Sequence, residues 1–155
     1  MGEADATGAP VSMHAFGANF AEVAVDADLG EVRVRRFVAS YGAGRILNAK
    51  MARSQQIGGI VFGIGMALGE ATRLDPASGR ITNARLTDYL LPVHADVPAI
   101  DVSYVAEDDP HVNATGVKGI GMIGAVGVAA AIANAVFHAT GVRVRDLPIT
   151  PEKLL

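Results

Sequence analysis

Four glycines within eight residues of one helical stretch constrain this chain more than any other feature. From Ala49 to Glu70 the apolar residues Ile57, Ile60, Val61, Ile64 and Leu68 recur at helical spacing. Gly58, Gly59, Gly63 and Gly65 lie among them, each costing about 1 kcal/mol against alanine inside a helix. A helix that carries such a load must be held by very close packing, either against another backbone or against a cofactor. The residues alone leave both open.

The neighbouring segments predict what it packs on. Phe20 to Ser40 reads as a β-hairpin, with Ala21, Val23 and Val25 alternating, turn chemistry from Asp26 to Gly30, and Val32, Val34 and Phe37 resuming the apolar face. Gly42, Gly44 and Asn48 break the pattern into a loop. Asp75 to Gly79 is a second turn, and Ile100 to Val105 alternates like a strand. Glu107 to Pro110 reads as a solvated acidic turn. Gly127 to Thr140 is an Ala-rich helix, which Gly141 stops. The pattern is α+β: strands in hairpins packed with two Gly/Ala-rich helices. No repeat or linker interrupts it, so residues 1–155 form a single domain.

Half of the residues are apolar, 19% are charged, and the net charge is −3. This balance describes a well-buried globular chain. It does not suggest a nucleic-acid partner, because the scattered basic residues are outnumbered by acids. With no cysteine, disulfides, thiolate metal sites and a cysteine nucleophile are excluded, which fits the cytoplasm. Met1 to Ala9 carries Glu3 and Asp5 with no basic residue ahead of an apolar core, unlike a signal peptide. Gly119 to Val142 holds no charged residue and is long enough to span a bilayer. Its Gly and Ala content, with Asn134 and His138, favours a buried helix and no membrane partner.

Several chemistries can be weighed on motif alone. Gly119, Gly121 and Gly124 have the G-x-G-x-x-G spacing of a dinucleotide loop, but no apolar strand runs into them, and Asp146 downstream follows Arg143 and Arg145 in a surface-like segment. His14, His94, His111 and His138 share no i, i+4 pair, which argues against a protein-ligated metal. No G-x-S-x-G elbow is present. Gln55 and Gln56 read as helix surface, although a glutamine beside close-approach glycines can also donate to a ligand. Lys118 reads as a solvated cation, or as one serving an anionic group at a helix entrance.

In order along the chain, these segments resemble the C-terminal part of the molybdenum-binding subunit of the xanthine oxidase/aldehyde oxidase family. The resemblance runs from His14–Phe20 through Gly44–Asn48, Ala52–Gln55, Gly58–Gly65, Asn83–Leu90 and Val117–Gly121 to Leu147–Pro151. It implies the fold of that subunit's C-terminal cofactor-binding domain. It also implies an oxidoreductase that hydroxylates an aldehyde or N-heterocycle at molybdenum held on a pyranopterin. By resemblance, Gln55 bonds the molybdenum and pterin region, and Lys118, Gly119, Ile120 and Gly121 line the cofactor pocket. The family's general-base glutamate falls at Met122, where a thioether cannot accept the proton.

Two smaller departures are Gly42-Ala43-Gly44, in place of Asp-Ala-Gly, and Asn48-Ala49, in place of Asn-Pro. The resemblance also implies partners: a further molybdenum-subunit polypeptide, an iron–sulfur subunit and a flavin subunit. The molybdopterin-type cofactor would be enclosed only in that assembly, and the isolated chain would hold none. The competing expectations are a repurposed, cofactor-free domain that binds, cyclises or isomerises an organic ligand in an apolar pocket, or a non-catalytic interaction module, either of them homo-oligomeric.

Overall fold

The computed structural model describes residues 11–155, so the expectation for Met1 to Ala9 lies outside the described residues. Strand β1 (Phe16–Val25) and strand β2 (Val32–Gly42) form the expected antiparallel hairpin. Its turn is fixed by Asp26, whose carboxylate accepts from the amides of Asp28 and Leu29, and by Gly30 at φ +67°. The β2 strand runs on into helix α1 (Ala49–Leu68), and strand β3 (Ala99–Tyr104) returns parallel to β2. The sheet order is β1-β2-β3. The third strand thus joins by a helical crossover and not as part of a hairpin, because α1 and the following segment carry the chain back to the start of β2.

Helix α1 begins where the Asn48 side chain accepts from the Met51 amide at 3.0 Å, a standard N-cap. A short helix α2 (Ile123–Val126) and the longer α3 (Val128–Thr140) follow the Gly-rich loop. Gly141, at φ +76°, closes α3. Both long helices lie on one face of the sheet. Val34, Phe37, Ala39 and Tyr41 from β2 meet Ile60, Ile64 and Ala67 from α1 and Val128, Ile132 and Val136 from α3.

The glycines of α1 meet three surroundings, Gly65 lying against Pro92 and the Glu70 carboxylate. A Cβ on Gly59 would lie 3.0 Å from the Gly124 backbone, and one on Gly63 would lie 2.5 Å from the Val128 Cβ. Those two are absent side chains that let the helices cross. The expected close packing is therefore helix against helix at these positions. A Cβ on Gly58 would meet nothing, so no contact within this chain accounts for that glycine.

The segment Ile123–Thr140 is long and apolar enough to cross a membrane by length and composition. Its inner stripe of Val128, Ile132 and Val136 is fully buried in the core, while Val126 and Phe137 remain exposed.

Candidate functional site: the loop from Lys118 to Gly124

The loop after β3 is held at both ends. At its start, residues 116–118 run antiparallel to residues 43–45: Arg45 donates to the Gly116 carbonyl at 2.7 Å and Lys118 to the Ala43 carbonyl at 3.3 Å. The Lys118 side chain is 3% exposed, with its ammonium 2.5 Å from Glu107 Oε1 and 2.9 Å from Asp109 Oδ2. Glu107 also accepts from the Gly44 amide at 2.8 Å. Hydrogen bonds from Lys118 hold both carboxyls below their usual range, and the same bonds, Glu107 first, raise the Lys118 ammonium above its own. Glu107 and Asp109 are thus not solvated, although Asp108 and Pro110 beside them are exposed, and Lys118 is no solvated cation. The lysine is buried among carboxylates of its own chain and acts as a clamp on the loop.

At the other end, α1 reaches up to the loop with two consecutive side chains. Gln56 Nε2 donates to the Ile120 carbonyl and Gln55 Nε2 to the Gly121 carbonyl, both at 3.2 Å. Both carbonyls therefore point at α1. In a trans peptide the N–H opposes the C=O, so the amides of Gly121 and Met122 are turned away from α1. Among the described residues, none of the four amides from Gly119 to Met122 has an acceptor. A Cβ on Gly119 or Gly121 would meet nothing within 4 Å. The Met122 side chain stands exposed at the outer edge of the loop.

Gln55, Lys118, Gly119, Ile120, Gly121 and Met122 are thus brought to one place, with different parts. Gln55 is exposed and keeps its side-chain oxygen free of the chain. Gln56, expected on the helix surface, is fully buried. The sequence signal for it was weak, because a polar residue in mid-helix normally faces water. Asp146 lies far along the chain in a pair with Lys153. No cluster of three or more potential metal-ligating side chains occurs among the described residues. A cleft of about 540 Å³ opens near Arg33, Ile64, Leu68 and Pro92, at the far end of α1, and contains none of the expected site residues.

This donor set fits an anionic, acceptor-rich cofactor such as a pyranopterin. Two amides turned away from α1, the open Cβ positions of Gly119 and Gly121 and one free glutamine oxygen could bond its heteroatoms without supplying a metal ligand. The fit is to one side only, since the loop faces open space.

Comparison with known proteins places this fold among the cofactor-binding portions of molybdenum oxidoreductases. The molybdopterin cofactor-binding domain family matches residues 1–98. The aldehyde oxidoreductase molybdenum-binding subunit of Escherichia coli is 50% identical over 140 residues, covering 90% of this chain and 19% of that protein. A putative xanthine dehydrogenase molybdenum-binding subunit of the same species is 40% identical over the same share of this chain, covering 18% of its own. Among solved structures, the aldehyde oxidoreductase of Desulfovibrio gigas superposes with a TM-score of 0.82 at 33% identity, over 91% of this chain and 15% of its own. Quinoline 2-oxidoreductase from Pseudomonas putida 86 gives 0.82 at 33%, over 90% and 18%. The chain belongs to the molybdopterin cofactor-binding domain family and corresponds to part of a xanthine oxidase-type molybdenum-binding subunit. It spans about a fifth of the length of the relatives it matches.

Proposed function

We propose that this chain forms one wall of a molybdenum cofactor pocket in a xanthine oxidase-type hydroxylase, completed by the remainder of a molybdenum-binding subunit. The observation that carries this reading is the pair of carbonyls, Ile120 and Gly121, tied back to α1 so that the Gly121 and Met122 amides face outward. Those amides would hold acceptor atoms of the cofactor, Gln55 would offer its free oxygen beside them, and Lys118 would keep the shelf in place from behind. When bound, the molybdenum–pyranopterin group supplies the redox centre for hydroxylating a carbon such as that of an aldehyde.

An apolar row along α1 supports the assembly. Met51, Phe62 and Met66 are exposed on one face of the helix, with Val126 exposed on α2. A soluble monomer seldom leaves such a row bare, and relatives about five times as long have the material to cover it. Iron–sulfur and flavin subunits would complete the electron path, in the cytoplasm.

At Met122 the assembly lacks a proton acceptor, so turnover is low; a general base contributes about 10²–10⁴-fold. The test is Met122→Glu in the molybdenum-loaded assembly. A rise in kcat with aldehyde or N-heterocycle, with the pH profile of one new carboxylate, supports the reading. An unchanged rate in a fully loaded assembly removes residue 122 from the base position. The second reading, a cofactor-free ligand-binding domain, draws on that same apolar side chain and predicts that Met122→Glu weakens ligand binding.

A further inference from the structure

The Gln56 side chain is fully buried between α1 and the loop, yet only half of its amide is used. Nε2 donates to the Ile120 carbonyl at 3.2 Å, while Oε1 has no donor and is shut off from solvent. That oxygen lies against Gly124: a Cβ on this glycine would come within 2.5 Å of it and within 3.0 Å of the Gln56 carbonyl oxygen. An unpaired buried acceptor is destabilising, and an apolar side chain of equal size would avoid the cost. As a core filler, glutamine is therefore a poor choice. Its one evident return is the bond to the loop.

We propose that Gln56 is a positioning residue that fixes the backbone from Ile120 to Gly124. Its Nε2 draws the Ile120 carbonyl toward α1 and so turns the Gly121 amide outward. Its oxygen sets the approach distance at which only glycine fits at position 124. Gln55, exposed and one residue earlier, adds a second bond to the same stretch, but Gln56 alone is locked in place by packing on all sides. The functional meaning of this rests on the pocket-wall reading above; the positioning itself does not.

The experiment is amide exchange and chemical shift in the full chain. The amides of Ala125 and Val126 both donate to the Met122 carbonyl and report on the loop, whereas those of Ile60 and Ile64 report on the core. In Gln56→Met, which removes both the donor and the orphaned oxygen, Ala125 and Val126 should exchange about tenfold faster, the scale of one lost hydrogen bond. Core protection should be unchanged or greater. A mere filler predicts the opposite pattern, with loop protection preserved or improved along with the core, and that result would overturn the proposal.

Gln56→Glu gives an independent check. Burial raises a carboxyl's pKa, so the protonated acid can donate to Ile120 in mild acid but not once it ionises. Loop protection should then be close to that of the parent chain in mild acid and fall at alkaline pH, while a pH-independent loop overturns the proposal. In the assembled protein, Gln56→Met should also release molybdenum faster on dialysis. If the loop loosens while molybdenum retention stays the same, the positioning role stands and the pocket-wall reading falls.

Discussion

Gly63 of α1 faces Val128 of α3 so closely that a Cβ on the glycine would lie 2.5 Å from the valine Cβ. This contact sets the crossing of the two helices above the sheet. Gly58, five residues earlier and exposed, has open space where its side chain would be. The two glycines should therefore respond oppositely to the same substitution. Gly58→Ala should stabilise the isolated chain by about 0.5–1 kcal/mol through helix propensity. Gly63→Ala gains the same propensity but overpacks a rigid contact, a cost of about 1–3 kcal/mol, and should destabilise by about 1 kcal/mol net. Denaturant midpoints of the two variants decide it.

The Lys118 clamp predicts a specific acid sensitivity. Glu107 and Asp109 have folded-state pKa values held down by Lys118, so the unfolded chain binds their protons first as pH falls. Their stabilisation is complete above the ordinary carboxylate range and is lost as pH drops through the depressed values. Stability measured by denaturant from neutral pH to about pH 3, below the ordinary carboxylate range, should fall more steeply for the parent chain than for Lys118→Met. The Gly44 amide, bonded to Glu107, should lose exchange protection over the same interval.

On the alkaline side the tyrosines carry the prediction. Burial, with a smaller contribution from Tyr104, pushes the Tyr41 phenol up to about 12. Burial also raises Tyr89 and Tyr104. The Tyr41 hydroxyl donates to Asn19 Oδ1 at 2.8 Å and would lose that bond on ionising. Folded pKa values above the unfolded ones mean that stability is intact below the normal tyrosine range and declines as pH rises through the folded values. Phenolate absorbance should therefore appear later in the native chain than in denatured chain, with Tyr41 last. Asn19→Ala should leave the Tyr41 hydroxyl without its partner and destabilise by about 1 kcal/mol.

Much of this was legible because local pattern and global packing agree. The alternation of Val23, Val25, Val32 and Val34 marked the hairpin, and the spacing of Ile57, Ile60 and Ile64 marked α1. Gly141 stopped α3 where expected. What escaped were contacts between segments distant in sequence. Glu107 and Asp109 look solvated in a run of acids, and only the tertiary fold brings Lys118 onto them. Gln56 carries no periodic signal that separates it from Gln55, because neighbours on a helix differ by about 100° and the buried side is chosen by the loop that lands there. The parallel return of β3 likewise depends on a crossover that no local motif encodes. The loop residues around Met122 were picked out by motif, but their roles divide between side chain and backbone in a way that only geometry distinguishes.

The most direct measurement is the molybdenum and pterin content of this chain, isolated from its native host together with whatever it is assembled with. The expected result is a larger complex containing the rest of a molybdenum-binding subunit, with close to one molybdenum and one pterin per copy of this chain. A stably folded monomer or homo-oligomer carrying neither would contradict it.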